Sequence, residues 1–159
     1  MREIRESEVR ESEVRESELR ELLYALDGVK QNPKWHPEGD ALYHSLQAFD
    51  VARRLTREPL FWLTALVHDV GKAIDSATHA EVGADLLEGL VPDRAIWLVS
   101  HHLDLLRDPR RTRRRASPDD LRDLRLLREI DLGARSTEAR VLPLEEALGL
   151  ATIHRAAGS

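Results

Sequence analysis

From Leu60 to Val67 the chain reads Leu-Phe-Trp-Leu-Thr-Ala-Leu-Val and runs straight into His68-Asp69-Val70-Gly71-Lys72. A helix that is apolar all round must be enclosed by other elements, so residues 58 to 70 predict a central buried helix, with Phe61 and Trp62 as core. The polar pair at its end is then out of place. Burying an imidazole and a carboxylate costs several kcal/mol unless something compensates, and a divalent cation does so most simply. Neighbouring helical residues point about 100° apart, so both face one ion only where the helix ends, and Gly71 is a natural stop. Taken alone, the dipeptide reads equally well as a capping Asp beside an incidental His.

The remaining histidines and one aspartate add weight to the metal reading. His44 follows Ala41-Leu42-Tyr43, His79 follows Thr78, His101 and His102 close Trp97-Leu98-Val99-Ser100, and Asp131 ends Leu126-Leu127-Arg128-Glu129-Ile130. Each sits on or beside a helical apolar pattern. Helical metal sites are assembled from single residues on facing helices, and imidazole with carboxylate suits Zn, Fe, Mn, Ni or Co. Neighbours His101 and His102 can both ligate only if their helix turns or ends there.

No segment reads as a strand, so an all-α fold is expected, with helices near 40–56, 58–70, 78–90, 92–105, 118–132 and 143–151. Asp27-Gly28 ends a preceding helix, and 28–39 form a loop. Asp40 and Ser117 are placed to cap the helices that follow them, and Pro118 suits a first helical position. Gly83 suits close helix packing. Residues 2–21 repeat Arg-Glu-Ser-Glu-Val, with Ile4, Val9, Val14 and Leu19 recurring every five residues. On a helix that spacing advances about 140° per step and spirals without forming a stripe. Residues 1–21 are thus read as a charged helical extension and 22–159 as the domain. The polar, proline-interrupted segment from Arg107 to Pro118 carries Arg110, Arg111, Arg113, Arg114 and Arg115 and is read as a loop beside the site. Its arginines could bind phosphates or serve equally as a solvated surface, since the chain's net charge is −5. The absence of Cys excludes disulfides and thiolate zinc. No apolar run is long enough for a membrane helix, and a cytoplasmic location is expected.

The order His44, His68-Asp69, His79, His101-His102, Asp131, with Gly71 and Lys72 after the His-Asp pair, resembles the HD-domain superfamily of metal-dependent phosphohydrolases. Trp35-His36-Pro37-Glu38-Gly39-Asp40 leading into His44, His79 followed by Gly83-Ala84, and Ile130-Asp131-Leu132-Gly133-Ala134-Arg135 resemble more specifically the HD domain of some bacterial CCA-adding tRNA nucleotidyltransferases. The likeness covers roughly residues 33–136. Nothing resembles the nucleotidyltransferase head, so a free-standing HD domain is expected.

The resemblance implies that His44, His68, Asp69 and Asp131 hold one divalent ion, and that Asp69, His79, His101 and His102 provide for a second. The ions would be Mn, Fe, Ni, Co or Zn, with Mg a further option. Two cations ~3.5–4 Å apart would generate hydroxide and clamp phosphoryl oxygens. Asp69 and Lys72 then take catalytic roles, Lys72 stabilising charge at phosphorus, while Lys72, His36 and the arginine cluster contact substrate. The implied activity is 2′,3′-cyclic phosphodiesterase and phosphatase action on nucleotides or RNA-terminal phosphates. Nucleoside 5′-monophosphatase, dinucleoside tetraphosphate hydrolase and single-strand nuclease are alternatives, because pocket shape decides substrate. A non-enzymatic alternative is a metal-stabilised adaptor docking through its N-terminal helix. Nothing points to duplex nucleic acid, and the oligomeric state is open.

Overall fold

The computed structural model describes residues 15–153. Its helices are α1 (15–24), α2 (Ala41–Leu55), α3 (Pro59–Val67), α4 (His79–Leu86), α5 (Asp93–His101), α6 (Asp104–Arg107), α7 (Pro109–Arg115), α8 (Pro118–Leu132) and α9 (Leu144–Ile153). A 3₁₀ turn spans Val70–Ala73. Among the described residues the only strand-like feature is an isolated antiparallel bridge between Lys30 and Asp40. The fold is all-α, and no helix among the described residues is long and apolar enough to cross a membrane.

The apolar α3 is central, as its sequence demands. It packs against α2, α5, α8 and α9, and Phe61, Leu63, Ala65, Leu66 and Val67 are buried. Two apolar clusters flank it. One joins α1, α2 and α9 through Leu23, Phe49, Leu66 and Leu148, and the other joins α2 and α8 through Ala48, Phe61, Leu127 and Ile130. The extension expected over residues 1–21 does not stop at that boundary, because Leu19 is fully buried in the first cluster. Arg20 also pairs with Glu145 of α9 at 2.8 Å. The rest of the repeat, with Ile4, Val9 and Val14, lies outside the described residues, as does His154.

Local chemistry fixes the two segments that bracket the site. Asp40 accepts from Tyr43 N at 2.9 Å, capping α2, while its other oxygen accepts from Gly28 N at 2.6 Å. The segment after α8 is bound to α2 by Gln47, which donates to Ser136 O at 2.8 Å and accepts from Ser136 N at 3.0 Å. These contacts bring Asp131 and the Ala134 carbonyl up to His44.

Two readings of the sequence change. Gly71 has no left-handed backbone and is not a helix stop: α3 already ends at Val67, with His68 as its C-cap. Gly71 is needed for space, since a Cβ there would lie 2.1 Å from His79 O and 2.8 Å from Gly83 N. The expected loop from Arg107 to Pro118 is instead helical over α7, because Asp108 accepts from Arg111 N and Pro109 occupies the first turn.

Candidate metal centre

Four histidines from four parts of the chain are held in one tautomer. Nδ1 of His44 faces Ala134 O at 2.9 Å, His68 faces Ala65 O at 2.6 Å, His79 faces Ser76 O at 2.8 Å and His102 faces Val99 O at 2.6 Å. A backbone carbonyl only accepts, so each Nδ1 carries a proton and Nε2 is the nitrogen left to bind a cation. His68 and His102 cap α3 and α5, where helices leave their last carbonyls without intrahelical donors. The helix ends thus orient their own ligands.

The Nε2 atoms converge on two carboxylates. His44 Nε2 lies 2.8 Å from Asp131 Oδ1 and 3.5 Å from Asp69 Oδ2. His68 Nε2 lies 3.3 Å from Asp69 Oδ2 and 3.5 Å from Asp131 Oδ1. On the far side of the same carboxylate, Asp69 Oδ1 is 3.2 Å from His79 Nε2 and 3.6 Å from His102 Nε2. Ligand atoms about 2.1 Å from one cation, at tetrahedral or octahedral angles, stand about 3.0–3.4 Å apart, so this spacing suits divalent ions. The orphaned atoms say the same: His44 Nε2, His68 Nε2 and Asp131 Oδ1 are buried without a hydrogen-bond partner. Close contact without hydrogen-bond geometry is what ligand atoms aimed at a shared centre produce.

Electrostatics reinforces the geometry. Burial works against a charged His44, yet the Asp131 and Glu38 carboxylates and the field of Asp69 outweigh it and raise its pKa to about 9. For His68 burial is likewise outweighed, by Asp69 and Asp131, and the pKa is raised to about 10. Burial raises the Asp69 and Asp131 pKa values, but His68 and Lys72 hold Asp69, and His44 and His68 hold Asp131, well below the usual carboxylate range. The pocket is an electronegative well that draws positive charge.

The remaining candidates fall around this cluster or away from it. Lys72 Nζ lies 3.0 Å from Asp69 Oδ2 and also donates to Gln31. His36 Nδ1 donates to Glu38 Oε1 at 2.7 Å, and that oxygen lies 2.9 Å from His44 Nδ1. Glu38 and Gln31 were not singled out from sequence; Glu38 was legible in the motif around His36, whereas nothing marks Gln31. His101, expected among the ligands, is not brought to the cluster. It stacks on Trp97 with ring centroids 4.4 Å apart and bonds Trp97 O, because α5 ends after it and only His102 turns inward. Arg111 and Arg115 line a separate cleft next to His101, and Arg110, Arg113 and Arg114 are exposed on α7.

Known proteins resemble parts of this chain. Multifunctional CCA proteins match from Hahella chejuensis at 39% identity over 75 residues, covering 43% of this chain and 18% of that protein. Those of Halorhodospira halophila and Methylococcus capsulatus match at 43% over 68 residues (38% of this chain, 16% of the relative) and 49% over 49 residues (31% and 12%). The matched segments span less than a fifth of each of these relatives. The HD domain family matches residues 41–140, a stretch that holds His44, His68-Asp69, His79, His102 and Asp131 together. With a ligand cluster of that order built into an all-helical frame, the chain belongs to the HD domain family of metal-dependent phosphohydrolases.

Proposed function

We propose that this HD domain is a binuclear 2′,3′-cyclic phosphodiesterase and phosphatase acting on nucleotides or RNA-terminal phosphates. The observation that carries the two-ion reading is Asp69, whose Oδ2 meets His44 and His68 while its Oδ1 meets His79 and His102. Asp131 completes the first group. Cations held there supply Lewis acidity towards phosphoryl oxygens and activate water at neutral pH.

The chain's own residues do the rest. The Nδ1 contacts fix the imidazoles, so no reorganisation is needed during the reaction. Lys72, half-buried beside Asp69, offsets the growing charge of a phosphoryl oxygen that enters the site. Water adds to phosphorus, the bond from phosphorus to one ribose oxygen breaks, and that oxygen takes a proton. His36, which is bonded to Glu38, takes the role of a substrate contact in this reading. The likeness to CCA proteins supports an RNA end as the source of the phosphate.

Metal content of protein purified without added metal, paired with ring opening of 2′,3′-cyclic AMP, tests this reading. About two ions per chain and turnover abolished by Asp69→Ala support it. One ion with turnover of monophosphates alone replaces it with a mononuclear nucleotidase. No turnover with added Mn, Ni or Co removes it.

A further inference from the structure

Beside the metal centre, across the end of α5, a second cleft of about 500 Å³ opens between α5, α6, α7 and α8. That volume lies in the range of sites that take one small ligand. Its walls combine two features that nucleotides require. One is a stack: the Arg94 guanidinium sits 4.6 Å over Trp97, and Trp97 stacks on His101 at 4.4 Å and 14°. Arg94 and His101 both lie against Trp97, and His101 brings the stack to the cleft wall. The other is charge. Arg111 and Arg115 stand one turn apart on α7, a like-charge spacing that is locally unfavourable, and neither makes an ion pair or side-chain hydrogen bond among the described residues.

Two of the three acidic residues of the same wall are engaged elsewhere. Asp120 is tied to Arg94 at 2.8 Å, and Asp108 caps α7 through Arg111 N at 3.1 Å. Arg107 is already paired with Glu81 at 2.8 Å. Asp104 and the capping Asp108 keep their charges near Arg111 and Arg115, but neither forms an ion pair with those guanidiniums among the described residues, which leaves both arginines able to meet a phosphate.

We propose that this cleft is a nucleotide subsite for single-stranded RNA, in which a base extends the Trp97–His101 stack and a backbone phosphate is held by Arg111 and Arg115. His101 in the cleft wall and His102 in the metal cluster are chain neighbours, about 3.8 Å apart at Cα. In this proposal a strand whose terminal phosphate reaches the metal centre passes the end of α5 into the cleft. The inference rests on the RNA-end reading above and adds that the substrate is a strand rather than a mononucleotide. No bond is made or broken in the subsite.

The test is fluorescence anisotropy with a 5′-fluorescein-labelled hexa-adenylate bearing a 3′-phosphate, in EDTA so that no turnover occurs, on wild type and on Arg111→Gln/Arg115→Gln. Both positions are on the surface, and circular dichroism checks that the variant folds. The hexamer should bind at least about tenfold more tightly than AMP competes. The double variant should lose about tenfold in affinity, and its log Kd against log salt slope should fall by up to about 1.4, from about 0.7 per lost contact. Equal affinity in variant and wild type, AMP competing as tightly as the hexamer, or a hairpin duplex binding as well as the single strand each overturns the subsite. Arginine-dependent hexamer binding by a protein that opens no 2′,3′-cyclic phosphate keeps the subsite and removes the RNA-end hydrolase. Ring opening with arginine-independent binding does the reverse.

Discussion

Asp69 is the one side chain shared by both histidine groups, so its loss and the loss of an outer ligand should differ in kind. Asp69→Ala should release both ions, whereas His79→Ala should keep the ion held by His44, His68 and Asp131 and lose the other. Metal content per chain by atomic emission distinguishes them, and equal loss in the two variants contradicts the shared-carboxylate arrangement. Protons compete with cations for the same Nε2 atoms. With pKa values raised to about 9 and about 10, His44 and His68 hold protons across neutral pH in metal-free protein. Lowering pH adds to that competition, so metal affinity should fall steadily from pH 8 to pH 6, with proton release on binding visible by calorimetry in buffers of different ionisation heat. Affinity independent of pH would mean that neither ring takes part. Glu38 fixes His44 from outside the cluster, and Glu38→Gln should weaken metal binding by about 10-fold or more, measured by competition with a chelating dye. At this scale the residue types were readable and their directions were not. His101 and His102 are adjacent and chemically identical, and only the end of α5 decides that His102 turns inward while His101 lies on Trp97.

Elements are fixed by contacts that sequence patterns express unevenly. The 3₁₀ turn at Val70–Ala73 and α4 approach so closely that a Cβ on Gly71 would meet two backbone atoms, including His79 O at 2.1 Å. Backbone cannot yield by changing rotamer, so Gly71→Ala should cost about 3 kcal/mol, the upper end of ordinary overpacking, and should displace His79 as well. Gly149, within α9, has nothing within 4 Å of a Cβ, and Gly149→Ala should stabilise by about 0.5–1 kcal/mol through helix propensity alone. Urea unfolding of the two variants should therefore move the midpoint in opposite directions. The contrast shows why part of the secondary structure was legible. The apolar α3 and the capped α2 and α8 announce themselves by composition and by Asp40 and Ser117. The helix α7 has no apolar stripe and reads as a loop, although Asp108-Pro109 carries the same start signal as Ser117-Pro118. Gly71 reads as a stop because nothing in the sequence says which chain segment lies against it.

The whole molecule is organised so that α2, the ends of α3 and α5, the start of α4 and the end of α8 meet at one polar point inside an apolar frame. Without a cation, that point is a stability cost. His44 Nε2, His68 Nε2 and Asp131 Oδ1 are buried atoms without hydrogen bonds. Metal binding removes the cost only in the folded state, because the ligands are spread from His44 to Asp131 and the unfolded chain cannot gather them. A cation at about 100 times its Kd should therefore add about 2.7 kcal/mol, which for a domain of this length raises Tm by about 5–11 °C. Thermal melts of chelated protein with Mn, Ni, Co, Zn or Mg added back should show that rise for the ions that fit, and almost none for Asp69→Ala. A wild-type Tm unmoved by any of them would mean that the cluster is held together by protons rather than prepared for metal. A rise retained in Asp69→Ala would place the ion elsewhere on the chain, outside the point where these five elements meet.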